Sequence, residues 1–190
     1  MTPIGEIVHL QVQRSALKTK GVGYDPSPLL AVSEIAVGPD GVLGRHDGGW
    51  VVDVHSAIHP QSRGGGRRAL SIGFTSHYRE IGRRYGEQPV GIAGENLIVA
   101  ADHRIEPADL AGGVVIDTAE GPIALSGARV AAPCREFTSW LLGRIDVAPR
   151  EEIAADLAFL EDGMRGFILA VDHLEGWTVV RPGDRVSATG

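Results

Sequence analysis

The apolar segments of this chain are short, rich in β-branched residues and separated by glycine or proline, and this punctuation constrains the fold more than any other feature. Ile4 to Gln13 and Leu29 to Val37 read as strands, the second bracketed by Pro26, Pro28, Pro39 and Gly41. Ala69 to Phe74, Leu97 to Ala101, Val114 to Thr118, Ile123 to Leu125 and Arg129 to Ala132 continue the series. Met164 to Asp172, Trp177 to Val180 and Arg185 to Ala188 close it, the last after an Arg181-Pro182-Gly183-Asp184 turn. Helical spacing is confined to three places. Thr75 or Ser76 is a candidate N-cap for a helix reaching about Tyr85, Phe137, Trp140 and Leu141 share one face after Cys134, and Ile153, Leu157 and Leu160 form a stripe between Pro149 and Gly163. Between Val42 and Arg68 the pattern dissolves into glycine, histidine and proline, including Gly64-Gly65-Gly66, which predicts a functional or mobile loop. Many short strands with few helices predict a mainly β fold, a β-barrel or strongly bent sheet with a few peripheral helices.

The length of 190 residues, with no repeat or linker, leads us to expect one domain over residues 1–190. Hydrophobic residues at 43% and charged residues at 22% exclude both the polarity of a disordered chain and the apolar run of a membrane span. A net charge of -6, with arginines scattered among carboxylates, argues against a nucleic-acid surface, so any anionic ligand is expected to be small. The start Met1-Thr2-Pro3-Ile4-Gly5 shows no secretory signal, and a cytoplasmic address is expected. Cys134 is the only cysteine, so the choice is between an inert buried thiol and a reactive one.

Three segments, in order, carry a resemblance. They are Gly94-Glu95-Asn96-Leu97, then Pro133-Cys134 at the end of a strand and the start of a helix, then Arg165-Gly166-Phe167 through Arg181-Pro182-Gly183-Asp184-Arg185-Val186. Each alone is weak, but together and in this order they resemble the MOSC family, the module of molybdenum-cofactor sulfurases and their relatives. The resemblance implies a MOSC-like β-barrel. Where family members commonly carry Gly-Asp-x-His, this chain reads Leu43-Gly44-Arg45-His46-Asp47, and where relatives often place an arginine two residues before the proline, it reads Ala131-Ala132-Pro133-Cys134.

The resemblance also implies roles. Cys134 would be the catalytic sulfur, either carrying a persulfide received from a desulfurase or ligating molybdenum in a pterin-bound cofactor. A cysteine at a helix N-terminus favours thiolate, and Arg135 adds to that effect. A phosphorylated pterin is anionic and is best held by guanidinium forks and backbone amides, for which Lys20, Arg67 and Arg68 are candidates, with Gly64 to Gly66 letting the backbone approach. The alternative for Arg67 and Arg68 is a pair of solvated charges at a strand entrance. His46 is implied in shaping the cofactor pocket or moving a proton, against a loop histidine bonded to backbone. Glu95 and Asn96 are candidates for ligand contact, or else members of a turn whose side chains bond to nearby main chain.

Rival readings are a metal-dependent enzyme using Asp53, His55 and His59, a carbon–sulfur lyase, and a non-catalytic module that binds the pterin cofactor. A pyridoxal-phosphate lyase needs a Schiff-base lysine, and Lys18 and Lys20 are the only lysines, neither in a recognisable cofactor motif. That cofactor is expected on a partner such as a cysteine desulfurase. A reductase role would require a separate electron-transfer partner, since no flavin, haem or iron–sulfur motif is present.

Overall fold

The computed structural model describes residues 1–62, 70–171 and 173–189. The long first strand, β1 (Thr2–Gln13), is followed by a small hairpin of β2 (Lys18–Thr19) and β3 (Gly23–Tyr24). Next come β4 (Leu29–Ala31), β5 (Ile35–Gly38), β6 (Gly41–His46) and β7 (Gly49–Val52). β8 (Leu70–Phe74) runs into α1 (Thr75–Tyr85), and β9 (Leu97–Val99) follows. β10 (Val114–Thr118) and β11 (Gly121–Val130) precede α2 (Arg135–Leu141) and α3 (Ala154–Phe159), and the order is completed by β12 (Phe167–Ala170), β13 (Thr178–Val180) and β14 (Arg185–Ala188).

Seven strands close into a barrel in the order β1-β14-β10-β11-β12-β8-β9 and back to β1, while β4 extends from β1 and β13-β5-β6-β7 form a separate sheet. Within the barrel only the β8–β9 pair is parallel. Parallel neighbours cannot be joined by a tight turn and need a crossover. Here the crossover is α1 plus the loop before β9, and it delivers Gly94-Glu95-Asn96 to the barrel wall. No helix among the described residues is long and apolar enough to cross a membrane.

Period-two alternation in β1 sets up the two sides of that wall. Leu10 and Val12 enter the dry interior with Ile72, Phe74, Leu97 and Phe167. Gln11 and Gln13 face the other way and are buried as well, because the loop before β9 lies over them. Outside the barrel a second apolar cluster joins Tyr24, Tyr78, Ile81, Ile92 and Phe137, with Cys134 packed at its edge.

Several elements differ from the sequence reading. Leu29 to Val37 is two strands serving two sheets, β4 on β1 and β5 between β13 and β6. The expected loop after Val42 opens with the β6–β7 hairpin, turning through Asp47 at φ 46 and Gly48 at φ 77, a pair of left-handed residues suited to a tight hairpin. The segments around Ile123 and Arg129 are one strand, β11, whose register shifts between Ser126 and Arg129, where Gly127 has φ 63. β12 begins only at Phe167, because Gly163 to Gly166 make a turn. Helix α1 is entered from extended Phe74 without a side-chain cap, since the Thr75 hydroxyl bonds Ala101 instead.

One glycine in that turn tests the packing directly. Gly166 has φ 91, and a Cβ there would stand 2.6 Å from the Ile72 carbonyl oxygen. Gly166→Ala is expected to cost about 2–3 kcal/mol, read as a lower urea midpoint at constant slope. An unchanged midpoint would contradict this arrangement.

Candidate functional site

Cys134 marks the passage from strand to helix. Its backbone is extended (φ -127, ψ 151), and its carbonyl accepts both the Thr138 amide at 3.0 Å and the Thr138 hydroxyl at 2.9 Å. The helix start is therefore held by the backbone and by Thr138. The Cys134 side chain makes no capping bond and is partly exposed.

The cation beside the sulfur is Arg165, whose Nη1 lies 3.8 Å from Sγ. Its guanidinium donates to the Ala132 carbonyl at 2.9 Å and the Ala93 carbonyl at 3.2 Å, and it lies 5.0 Å above the Phe137 ring. Among the described residues its buried Nε has no hydrogen-bond partner. Tyr24 packs edge-on to Phe137 at 5.0 Å and donates its hydroxyl to the Ile92 carbonyl at 2.5 Å. Burial raises the Tyr24 phenol above its ordinary value despite the nearby Arg165 charge.

The β2–β3 hairpin covers the first turn of α2. Gly21 donates its amide to Glu136 Oε1 at 2.9 Å, so the chain neighbour of Lys20 meets the residue two positions beyond Cys134. Burial alone would raise the Glu136 carboxyl, but the Gly21 amide, the Lys18 charge and neighbouring Cys134 outweigh it and hold it below its ordinary value. Arg135 turns aside, its Nε donating to the Ala148 carbonyl at 2.9 Å.

Behind Arg165 lies a buried polar layer. Glu95 accepts the Tyr78 hydroxyl at 2.8 Å, and a Cβ at Gly73 would stand 2.7 Å from its Oε1, so the carboxyl fills a slot that glycine leaves open. Burial pushes its pKa up to about 7, with the Tyr78 bond and the Arg165 charge restraining the rise. The Asn96 side-chain oxygen accepts the Ser71 amide and hydroxyl, both at 3.0 Å, and its nitrogen donates to the Gln11 carbonyl at 3.2 Å and Asp53 Oδ2 at 3.0 Å. Glu95 and Asn96 thus spend their side chains inside the protein, although Glu95 remains within the electrostatic reach of Arg165.

The other sequence candidates fall elsewhere. His46 ends β6 in the separate sheet, 3.4 Å from the Asp47 carboxylate, and none of its described contacts joins the Cys134 cluster. Arg67, Arg68 and Gly64 to Gly66 lie outside the described residues. Asp53 is fully buried and receives the Gln13 amide at 2.7 Å and the His55 amide at 2.9 Å, whereas His59 accepts the Gln61 amide at 3.1 Å. Among the described residues no three His, Cys, Asp or Glu side chains form a group that could hold a metal ion, which removes the ground for the Asp53, His55 and His59 reading. A cleft of about 450 Å³ opens beside β1 and β4, lined by His9, Asp25, Leu29 and Ile92 among others, and Cys134 is not in its wall.

The model of the MOSC domain matches residues 59–187, which include all three diagnostic segments. The chain belongs to the MOSC domain family. Its barrel is similar to the crystal structure of the YuaD protein from Bacillus subtilis, at 20% identity and TM-score 0.57 over 98% of this chain and 94% of that one. It is also similar to YiiM from Geobacillus stearothermophilus, at 18% identity and TM-score 0.50 over 97% and 75% of the two chains. A hypothetical protein aligns at 16% identity and TM-score 0.55, over 98% and 70%. At such identities the likeness is one of fold. No curated protein matches the sequence.

In this MOSC domain the residue that sequence reasoning passed over is Arg165. It lay inside the third diagnostic segment, but nothing in the sequence indicated that the turn before β12 would bring it against the strand–helix junction. Tyr24 and Tyr78 were missed for the same reason.

Two buried groups give the MOSC domain opposed pH responses. His77, driven down to about 4 by burial, contributes stability above its ordinary 6.5 that is lost as pH falls toward 4. Glu95, raised from 4.5 to about 7, contributes stability below 4.5 that is lost as pH rises through 7. Glu95→Gln removes the second response, so the variant should gain on the wild type by up to ~3 kcal/mol between pH 4.5 and 7. Urea titrations at several pH values check this, and a pH-independent difference would contradict it.

Proposed function

We propose that this MOSC domain handles the molybdenum cofactor through Cys134, as a persulfide carrier or as a thiolate ligand of the metal. The observation that carries the reading is the placement of the one cysteine. It is partly exposed where a barrel strand gives way to a helix, its sulfur is not consumed by capping, and a guanidinium lies 3.8 Å away.

The donor set fits such a group. A thiolate is the soft ligand that molybdenum prefers. Arg165 Nε is a buried donor without a partner among the described residues, and a guanidinium suits the oxygens of an anionic cofactor. Cys134 would hold the group, Arg165 orient it and Tyr24 with Phe137 wall it from water, with Lys20 on the covering hairpin as a further cation. When bound, the cofactor supplies redox chemistry that no side chain here provides.

In the persulfide version the Cys134 thiolate attacks the terminal sulfur of a partner's persulfide. A new S–S bond forms, the old one breaks, and the partner leaves as a thiolate with no net oxidation. A cysteine desulfurase is the partner class that fits. Pyridoxal phosphate would remain on that enzyme, because Lys18 and Lys20 are both exposed on the hairpin, whereas a Schiff-base lysine sits in a desolvated pocket. In the metal-ligand version an electron-transfer protein completes the reaction.

The test is Cys134→Ser, purified from a host that makes the cofactor. Wild type is expected to carry molybdenum or a mass increment of one sulfur, and the variant neither. Its stability should change by less than about 1 kcal/mol, since the sulfur supports no helix cap. Metal analysis, intact mass and a thermal melt read all three. Equal molybdenum in both proteins, or a large loss of stability, would overturn the reading.

A further inference from the structure

We infer that Arg165 makes the Cys134 sulfur selective for negatively charged partners, so that the site takes an anionic sulfur or oxo compound in preference to a neutral one. The inference rests on the reading of Cys134 as a reactive sulfur and adds the charge class of what that sulfur meets.

The argument is one of charge balance around Sγ. Arg165 is fixed in place by the Ala132 and Ala93 carbonyls and by the Phe137 ring. Carbonyls satisfy its N–H groups but do not neutralise its charge, and no described carboxylate is within ion-pairing distance of it. Glu136 also faces the sulfur and accepts a hydrogen bond from it, while the Gly21 amide and the Lys18 charge act on the same carboxylate, so two cations, Arg165 and Lys18, stand against one carboxylate there. Tyr24 is neutral, and burial raises the Glu95 carboxyl behind Arg165 to about 7, so below that pH it adds no full negative charge. The balance at the sulfur is a net positive charge, of which the Arg165 guanidinium is the part 3.8 Å from Sγ. An incoming anion meets that charge directly, whereas a neutral compound gains nothing from it.

Because Cys134 is the only cysteine, alkylation of the whole protein reports on this site alone. Iodoacetate and iodoacetamide both react with the thiolate, forming an S–C bond and releasing iodide. The ratio of their rates therefore cancels the thiolate fraction and reads the local potential. At low ionic strength the ratio is expected to exceed that of free cysteine about fivefold, the effect of one charge at ~4 Å in water, and to fall as salt is added. Arg165→Gln should return it to the free-cysteine value, with Arg165→Lys retaining part. If Arg165→Gln does not fold, Lys18→Gln/Lys20→Gln decides: a ratio still high leaves Arg165 as its source, and a ratio that collapses assigns it to the hairpin and overturns the inference. A wild-type ratio no higher than that of free cysteine, or one unchanged in Arg165→Gln, overturns it as well. Molybdenum retention without charge selectivity would refute this inference and spare the functional reading, while selectivity without molybdenum or persulfide would do the reverse.

Discussion

The site depends on a buried amide. Asn96 uses both ends of its side chain, accepting from Ser71 and donating to the Gln11 backbone and to Asp53, so a single residue fastens β1, β8 and the segment after β7. The carboxylate it serves is fully buried, and a buried charge without hydrogen bonds costs several kcal/mol. The chain around it is therefore obliged to arrive in one arrangement. Gln11 donates to the Gly91 and Glu95 carbonyls and Gln13 to that of Gly94, so the loop before β9 is fixed carbonyl by carbonyl. The carbonyls of Ile92 and Ala93 are left to accept Tyr24 and Arg165, and with them the two side chains that frame the sulfur.

The division of labour follows from the barrel. Its interior is an apolar core whose largest side chains are wholly buried, which leaves no room for chemistry. The polar work is done against the outside of the wall, where α1, α2 and the β2–β3 hairpin enclose a second, smaller cluster. That layer is thin and built of aromatic rings and hydrogen bonds, so its residues meet across long separations in sequence: Gly21 with Glu136, Tyr24 with Ile92, Ala93 with Arg165.

This explains which parts were legible beforehand. Strand-forming segments and the three helices announce themselves through local period and punctuation, and the Pro133-Cys134 junction through its motif. The Asp47-Gly48 turn was also local, a hairpin signal that went unread amid the glycines and histidines after Val42. The split of Leu29 to Val37 had no local signal, since a β-branched run looks the same whether one sheet or two receive it. Glu95 and Asn96 were recognised as a motif, yet their environment was not, because burial of a carboxyl depends on Gly73, which pairs in a different strand. Arg165 required knowing that a turn closed by Gly163 and Gly166 would face a helix start some thirty residues earlier, a fact of tertiary packing alone.

The capping of α2 by the Cys134 carbonyl carries an evolutionary consequence. Thr138 secures that carbonyl with both its amide and its hydroxyl, so the helix start does not depend on a cap from the side chain at position 134. The cap places no demand on this side chain, and a lineage that no longer needed the sulfur could replace it with a residue of similar size, such as serine or alanine, and keep the helix start. Whether a relative keeps cysteine at this junction is therefore a record of what its chemistry demands, kept apart from what its fold demands.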